Sequence, residues 1–293
     1  MPHATADDGA RLHYEECGNG VPLVFVHEFA GDHRSWEPQL RHFSRRYRCL
    51  TYAARGYPPS DVPTEPERYD LFRAVDDLRA VLDAAEIDRA HVVGNSMGGF
   101  TALHLGLRHP ERTRSLVASG CGYGAHPDAE ARFRAESEKV ARAFETEGSA
   151  AMSEWYGRGP ARVQFENKDP RGHAEHVRVL AEHDPVGAAA TMRGVQKSRP
   201  SLYSERDELA ALDVPALIVA GDEDEGVLEA DLMLKRTIPR SGLVVLPKTG
   251  HVTNLEEPEL FNAHMERFLA QVDLDRWAAR DPRSLSTSTT GAN

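Results

Sequence analysis

The run His91-Val92-Val93-Gly94-Asn95-Ser96-Met97-Gly98-Gly99 constrains this chain more than any other feature. A short apolar stretch passes into glycine, serine and two further glycines, and Phe100, Leu103 and Leu107 follow at helical spacing. That order predicts a strand, a sharp turn and a helix. A serine at the apex of such a turn takes a strained backbone conformation, so the residues two before and two after it must be small. Both are glycine, Gly94 and Gly98. The hydroxyl then points out at the carboxyl edge of a sheet. The amino terminus of the next helix lies behind it, where developing negative charge is favoured.

A serine hydroxyl is a poor nucleophile until a base takes its proton, and the base must itself be oriented by a carboxylate. Both partners stand downstream. Val214 to Ala220 reads as a buried strand that ends in Gly221-Asp222-Glu223-Asp224, a loop dense in carboxylates. Leu243 to Leu246 reads as the next strand, followed by Pro247-Lys248-Thr249-Gly250-His251 and a helix opening near Asn254. His251 is set apart from the other thirteen histidines by this place, after a glycine, past the last strand and before the terminal helix.

The order Ser96, acid, His251 and the elbow Gly94-Asn95-Ser96-Met97-Gly98 resemble the α/β-hydrolase superfamily. The resemblance runs from about Leu12 to about Val272. By it, Asp224 is the triad acid, three residues after the strand-ending glycine, with Asp222 the fallback. The backbone N–H groups of Phe29 and Met97 form the oxyanion hole, and Ala54-Arg55-Gly56-Tyr57 with Ser60-Asp61 matches the family's arginine-glycine loop. The chain departs from the family at His27-Glu28, where relatives carry His-Gly. Glu28 either points outward or edges the substrate pocket. His27 reads as a structural hydrogen-bonding residue, and His33 is left near the entrance.

The alternation of strands and helices predicts an α/β fold, a doubly wound, mainly parallel sheet with an inserted helical cap. The divisions expected are a core of residues 1–121 and 207–272, a cap of residues 122–206 and a flexible tail of residues 273–293. The cap is rich in Ala, Arg and Glu, with helical periodicity over Ala129 to Glu147, Ala174 to His183 and Pro185 to Gln196. Its Trp155, Tyr156, Phe165, Met192 and Tyr203 either wall a pocket or pack the cap onto the core. Arg158, Arg162 and Arg193 offer cations to a substrate carboxylate or pair with the abundant glutamates. The substrate-pocket set is Glu28, Trp155, Tyr156, Met192 and Arg193.

A net charge of −11, with no basic stretch, argues against a nucleic-acid partner. No apolar run approaches the roughly 20 residues of a membrane span, and the first residues lack a signal-peptide core, so a cytoplasmic location is expected. Cys17, Cys49 and Cys121 are odd in number and widely spaced, which suits free thiols, and Cys121 reads as a packing residue. His173 and His176 read as helix-surface residues, since H-x-x-H is not the zinc-protease spacing. No metal or other cofactor is expected. The partner is a small-molecule substrate, and an oligomer is left open.

The activity implied by the resemblance is hydrolysis of a carboxylic ester or lactone through an acyl-enzyme. The serine sets the chain apart from haloalkane dehalogenases and epoxide hydrolases, which carry aspartate at that position. The same triad leaves open a carbon–carbon hydrolase of ring-fission products, a cofactor-free haloperoxidase, perhydrolase or dioxygenase, and a hydrolase-fold ligand receptor.

Overall fold

The computed structural model describes residues 2–285 of the 293. Eight strands form its sheet: β1 (His3–Thr5), β2 (Arg11–Cys17), β3 (Val21–Val26), β4 (Tyr47–Tyr52), β5 (Ala90–Asn95), β6 (Thr113–Ser119), β7 (Ala216–Gly221) and β8 (Ser241–Leu246). Their spatial order is β1-β2-β4-β3-β5-β6-β7-β8. The six strands from β4 to β8 in that order are parallel to their neighbours, while β1 and β2 add antiparallel edges. The first two strands were not foreseen; their polar composition, as in His13, Glu15 and Glu16, hides them from an apolar-run search.

The helices are α1 (Glu37–Phe43), α2 (Leu71–Ala84), α3 (Met97–Arg108), α4 (Pro127–Tyr156), α5 (Val163–Lys168), α6 (Pro170–Ala181), α7 (Pro185–Thr191), α8 (Arg206–Ala211), α9 (Leu228–Thr237), α10 (Thr253–Glu256) and α11 (Pro258–Asp273). Side chains of a strand alternate faces, so β3 feeds two cores. Val24 and Val26 pack with Val75, Leu78 and Val81 of α2. Leu23 and Phe25 pack with Phe43 of α1 and with Phe261, Met265 and Phe268 of α11. On the first face α9 joins through Met233 and Leu234, against Ile218 of β7. Both faces of the parallel strands are therefore covered, and β5 and β7 are buried along their whole length.

Helices α4 to α8 all fall between β6 and β7. Val140, Ala141, Phe144 and Met152 of α4, Leu180 of α6 and Met192 form one apolar cluster with Phe29, Tyr57 and Met97 at the carboxyl end of the sheet. The α4 run bends at Gly148, whose φ of 79° is not helical. The first part of the stretch expected as a flexible tail from 273 meets the core. Asp273 bonds His91 and Arg114, and Trp277 packs edge-on to Phe268 while its indole N–H donates to the Arg240 carbonyl. The rest of that expected tail, residues 286–293, lies outside the described residues.

Candidate active site

Ser96 caps α3 at φ 52° and ψ −114°, a conformation costly for a non-glycine residue and held by its surroundings. Its N–H donates to the Ser119 carbonyl at 2.7 Å. The sequence reading of the flanking glycines has a direct steric basis. A Cβ on Gly94 would lie 2.0 Å from the Gly98 carbonyl oxygen, and one on Gly98 would lie 2.1 Å from the Val26 carbonyl oxygen. The turn closes only because neither is there.

His251 reaches the same edge from the loop after β8. Its Nδ1 lies 2.6 Å from Oδ2 of Asp224, and both side chains are buried. Gly120, next to the residue that accepts the Ser96 N–H, runs against the imidazole; a Cβ there would sit 3.2 Å from ring atoms Cε1 and Nδ1. Burial alone would push the imidazole down, but the Asp224 carboxylate outweighs it, and the pKa rises above 6.5. Asp222 is exposed and accepts the Thr249 N–H at 3.2 Å, so it braces the loop rather than the histidine.

Sequence reasoning missed three supports of His251. The Ala161 carbonyl accepts the His251 backbone N–H at 2.9 Å, tying the turn before α5 to the site. Glu256 accepts the N–H groups of Gly250 at 2.8 Å and Val252 at 3.3 Å, holding the backbone on both sides of the imidazole. Tyr123 sets its ring edge against the imidazole, with centroids 5.3 Å apart. Burial, then the Asp224 charge, raises its phenol. A carboxylate five residues after the histidine, at a helix start, was the one signal present in the sequence.

The loop after β3 lies across from this pair. His27 Nε2 accepts the Ala54 N–H at 3.0 Å, so its Nδ1 carries the proton and donates to the Glu28 carbonyl at 2.7 Å. Tyr57 donates its hydroxyl to the Phe29 carbonyl at 2.9 Å. Among the described residues, positive φ outside glycine occurs at Glu86, Ser96, Lys248 and Asp275, so Glu28 does not need the freedom of the glycine it replaces. No protein acceptor takes the N–H of Phe29 or of Met97 among the described residues. Both remain available to an oxyanion.

The Glu28 side chain does not point outward. It is 3% exposed, 2.6 Å from Nη2 of Arg162 and 3.4 Å from Nε2 of His176. Burial opposes its charge, but Arg162 and then His176 outweigh that and hold the carboxyl below its ordinary value. Burial pushes His176 down to about 4, so the neutral imidazole faces an ion pair of Glu28 and Arg162.

His173 and His176 are thereby corrected: they are buried, not on a helix surface. They share one face of α6 with Val177 and Leu180, and His173 Nε2 meets the Gly157 carbonyl at 2.9 Å.

Two members of the expected pocket set stand apart. Trp155 is 53% exposed, with Lys139 over its ring, and the Arg193 guanidinium is taken by Glu138 and Glu145 on α4. Tyr156 and Met192 do reach the cluster around Phe29 and Met97, with Tyr156 edge-on to Phe29 at 5.6 Å. Arg158 pairs with Glu154 and Glu166 at the surface, and Phe165 packs on His173 and His176. Arg55 is buried between Asp77 and Asp8, which makes it a brace of the core. Cys121 is buried beside Gly99, its thiol pushed up by burial.

The strand order, the strained serine and the insertion after β6 coincide with a known pattern. The sequence pattern of the α/β hydrolase fold matches residues 21–258. This chain belongs to the α/β hydrolase fold family. Among its relatives is 3-oxoadipate enol-lactonase 1 of Acinetobacter baylyi, 28% identical over 248 residues, 83% of this chain and 86% of the relative. A crystal structure of the enol-lactonase from Burkholderia xenovorans LB400 superposes with a TM-score of 0.80 at 25% identity, covering 92% of this chain and all of that one. A thermophilic esterase from Thermogutta terrifontis superposes at 0.82 with 26% identity, covering 92% of this chain and 98% of that one. Like these hydrolases the chain is an α/β-hydrolase enzyme. No helix among the described residues is long and apolar enough to cross a membrane.

Proposed function

We propose that this chain is a serine hydrolase that cleaves a small-molecule carboxylic ester or lactone through an acyl-enzyme on Ser96. The observation that carries the reading is the 2.6 Å Asp224–His251 bond at the sheet edge where Ser96 is held at positive φ. With Nδ1–H given to Asp224, the imidazole has Nε2 left to take the Ser96 proton as Oγ attacks the carbonyl carbon. The N–H groups of Met97 and Phe29 receive the oxyanion, each such donor being worth roughly 10²–10³ in turnover. His251 returns the proton to the departing alkoxide. Water, deprotonated by the same imidazole, then releases the acid and restores Ser96. Atoms balance with water as the sole co-reactant.

In this reading residues 122–206 serve as a cap on a core of 1–121 and 207–272. The apolar cluster of Phe29, Tyr57, Met97, Phe144 and Met192 suits a modest acyl group, with Tyr156 at its margin. The lactonase and esterase named above support the choice of carboxyl chemistry. The test is hydrolysis of short p-nitrophenyl esters and of five- and six-membered lactones by the wild-type chain and by Ser96→Ala. Turnover of either series that is lost in Ser96→Ala is the expected result. Turnover that survives in Ser96→Ala, or no turnover of both series by wild type, overturns it.

A further inference from the structure

Away from Ser96, the amino-terminal hairpin gathers a second set of chemistry-bearing side chains. His13 and Glu15 stand two apart on β2 and so project from one face of the sheet. His33 comes to them from the short helical turn His33–Trp36, which Asp32 caps. Nε2 of His13 lies 3.2 Å from Oε1 of Glu15, and Nε2 of His33 lies 3.8 Å from that oxygen. The two imidazoles meet edge to face, with ring centroids 5.2 Å apart. One ligand atom from each of the three residues falls within 4.8 Å of the other two.

That spacing is close to what a small divalent cation requires. Ligand bonds of about 2.0–2.1 Å in a tetrahedron put the donor atoms about 3.3 Å apart. The donors also match in kind, because two imidazoles and a carboxylate suit zinc and its neighbours far better than calcium or magnesium.

Burial points the same way: His13 and His33 are 1% and 8% exposed, so the fold itself holds two of the three donors in place. Glu15 is half exposed and leaves the cluster open to solvent on one side. His3 is paired directly opposite His13 in the β1–β2 ladder, its ring 5.4 Å from that of His13.

We propose that His13, Glu15 and His33 form a binding site for a divalent transition metal of the zinc type. The site is separate from the triad but not remote in the chain: His33 ends the loop that carries Phe29. A bound ion ties that loop to β2 and acts as a brace, with no part in the chemistry at Ser96.

The experiment uses the full chain without an affinity tag, stripped with chelator and titrated with Co²⁺ by visible absorption and with Zn²⁺ by calorimetry. One ion per chain is expected, with the d–d bands of a nitrogen- and oxygen-ligated Co²⁺ that Zn²⁺ displaces. Glu15→Gln and His33→Gln should each weaken binding by at least about ten-fold, since even outer-shell changes at metal sites cost ~10–100-fold. The double variant should show no stoichiometric binding. Far-UV circular dichroism of each stripped variant checks that the fold is intact. Absence of stoichiometric Zn²⁺ or Co²⁺ binding by the wild type overturns the proposal. So does binding in the folded double variant within three-fold of wild type, which would assign the ion to other histidines.

Discussion

Two buried carboxylates at the carboxyl end of the sheet each face a basic partner, and the two pairs are built differently. Asp224 and His251 lie 27 residues apart on loops that follow the neighbouring parallel strands β7 and β8. Glu28 and Arg162 lie 134 residues apart and join the loop after β3 to the helical insertion. In the first pair the basic partner is an imidazole, which can take up and give back a proton near neutral pH. In the second it is a guanidinium, which cannot. Under the proposed mechanism the same burial makes one pair a proton carrier and the other a fixed strut. The strut also serves the carrier, since Ala161, next to Arg162, holds the His251 backbone N–H.

The contrast sets an order of expected effects. Ser96→Ala and His251→Ala should each lower kcat on a hydrolysed ester by about 10⁶ while leaving the circular dichroism unchanged. Asp224→Asn should cost about 10⁴, because the imidazole loses its tautomer and orientation but the oxyanion donors remain. An equal loss in Asp222→Asn would reassign the acid.

The pH profile sharpens the same point. His251 must be neutral to accept a proton, and Asp224 favours its charged form. The acid limb of kcat/KM in the wild type should therefore have its midpoint above 6.5. In Asp224→Asn that midpoint should move to lower pH, and an unmoved limb would sever the pair from the base.

The strut should break as a stability effect. Arg162→Met leaves Glu28 buried and uncompensated, which should cost about 3–5 kcal/mol of unfolding free energy in urea at pH 7. Adding Glu28→Gln should recover most of that loss, and additive losses would mean that the two residues act independently. Glu28 has a folded pKa below its ordinary 4.5, so its contribution is present above that value and fades as pH falls through the folded pKa. Wild-type stability should show this decline in acid, and the double variant should lack that part of it. The smallest effects belong to the outer helix faces: Trp155→Ala and Arg193→Ala should each change stability by about 0.5 kcal/mol or less and leave kcat/KM alone.

The legible part of the molecule was the part whose geometry is set locally. Gly94 and Gly98 are required by contacts within one turn and with the adjoining β3 carbonyls, so they mark the elbow in the sequence itself. Asp224 and His251 sit just past apolar strands that are readily recognised.

Positions decided by the insertion were not legible in this way. Nothing near Glu28 in the chain announces Arg162 or His176, because the turn before α5 brings the first and α6 brings the second only once its Val177 and Leu180 face has packed. Trp155 and Tyr156 are adjacent and chemically alike, yet the roughly 100° step between neighbouring helical residues sends one to solvent and the other to Phe29. The edge strands β1 and β2 escaped notice for a related reason, since the sheet, not an apolar run, holds them.

The covalent role of Ser96 is tested most directly by an organophosphate ester that phosphorylates activated serines, read by intact-protein and peptide mass spectrometry. One phosphoryl adduct per chain is predicted on the peptide containing Ser96, with loss of esterase turnover in step with labelling and no adduct in Ser96→Ala. Labelling at another residue, or turnover that survives full modification of Ser96, would contradict the acyl-enzyme mechanism.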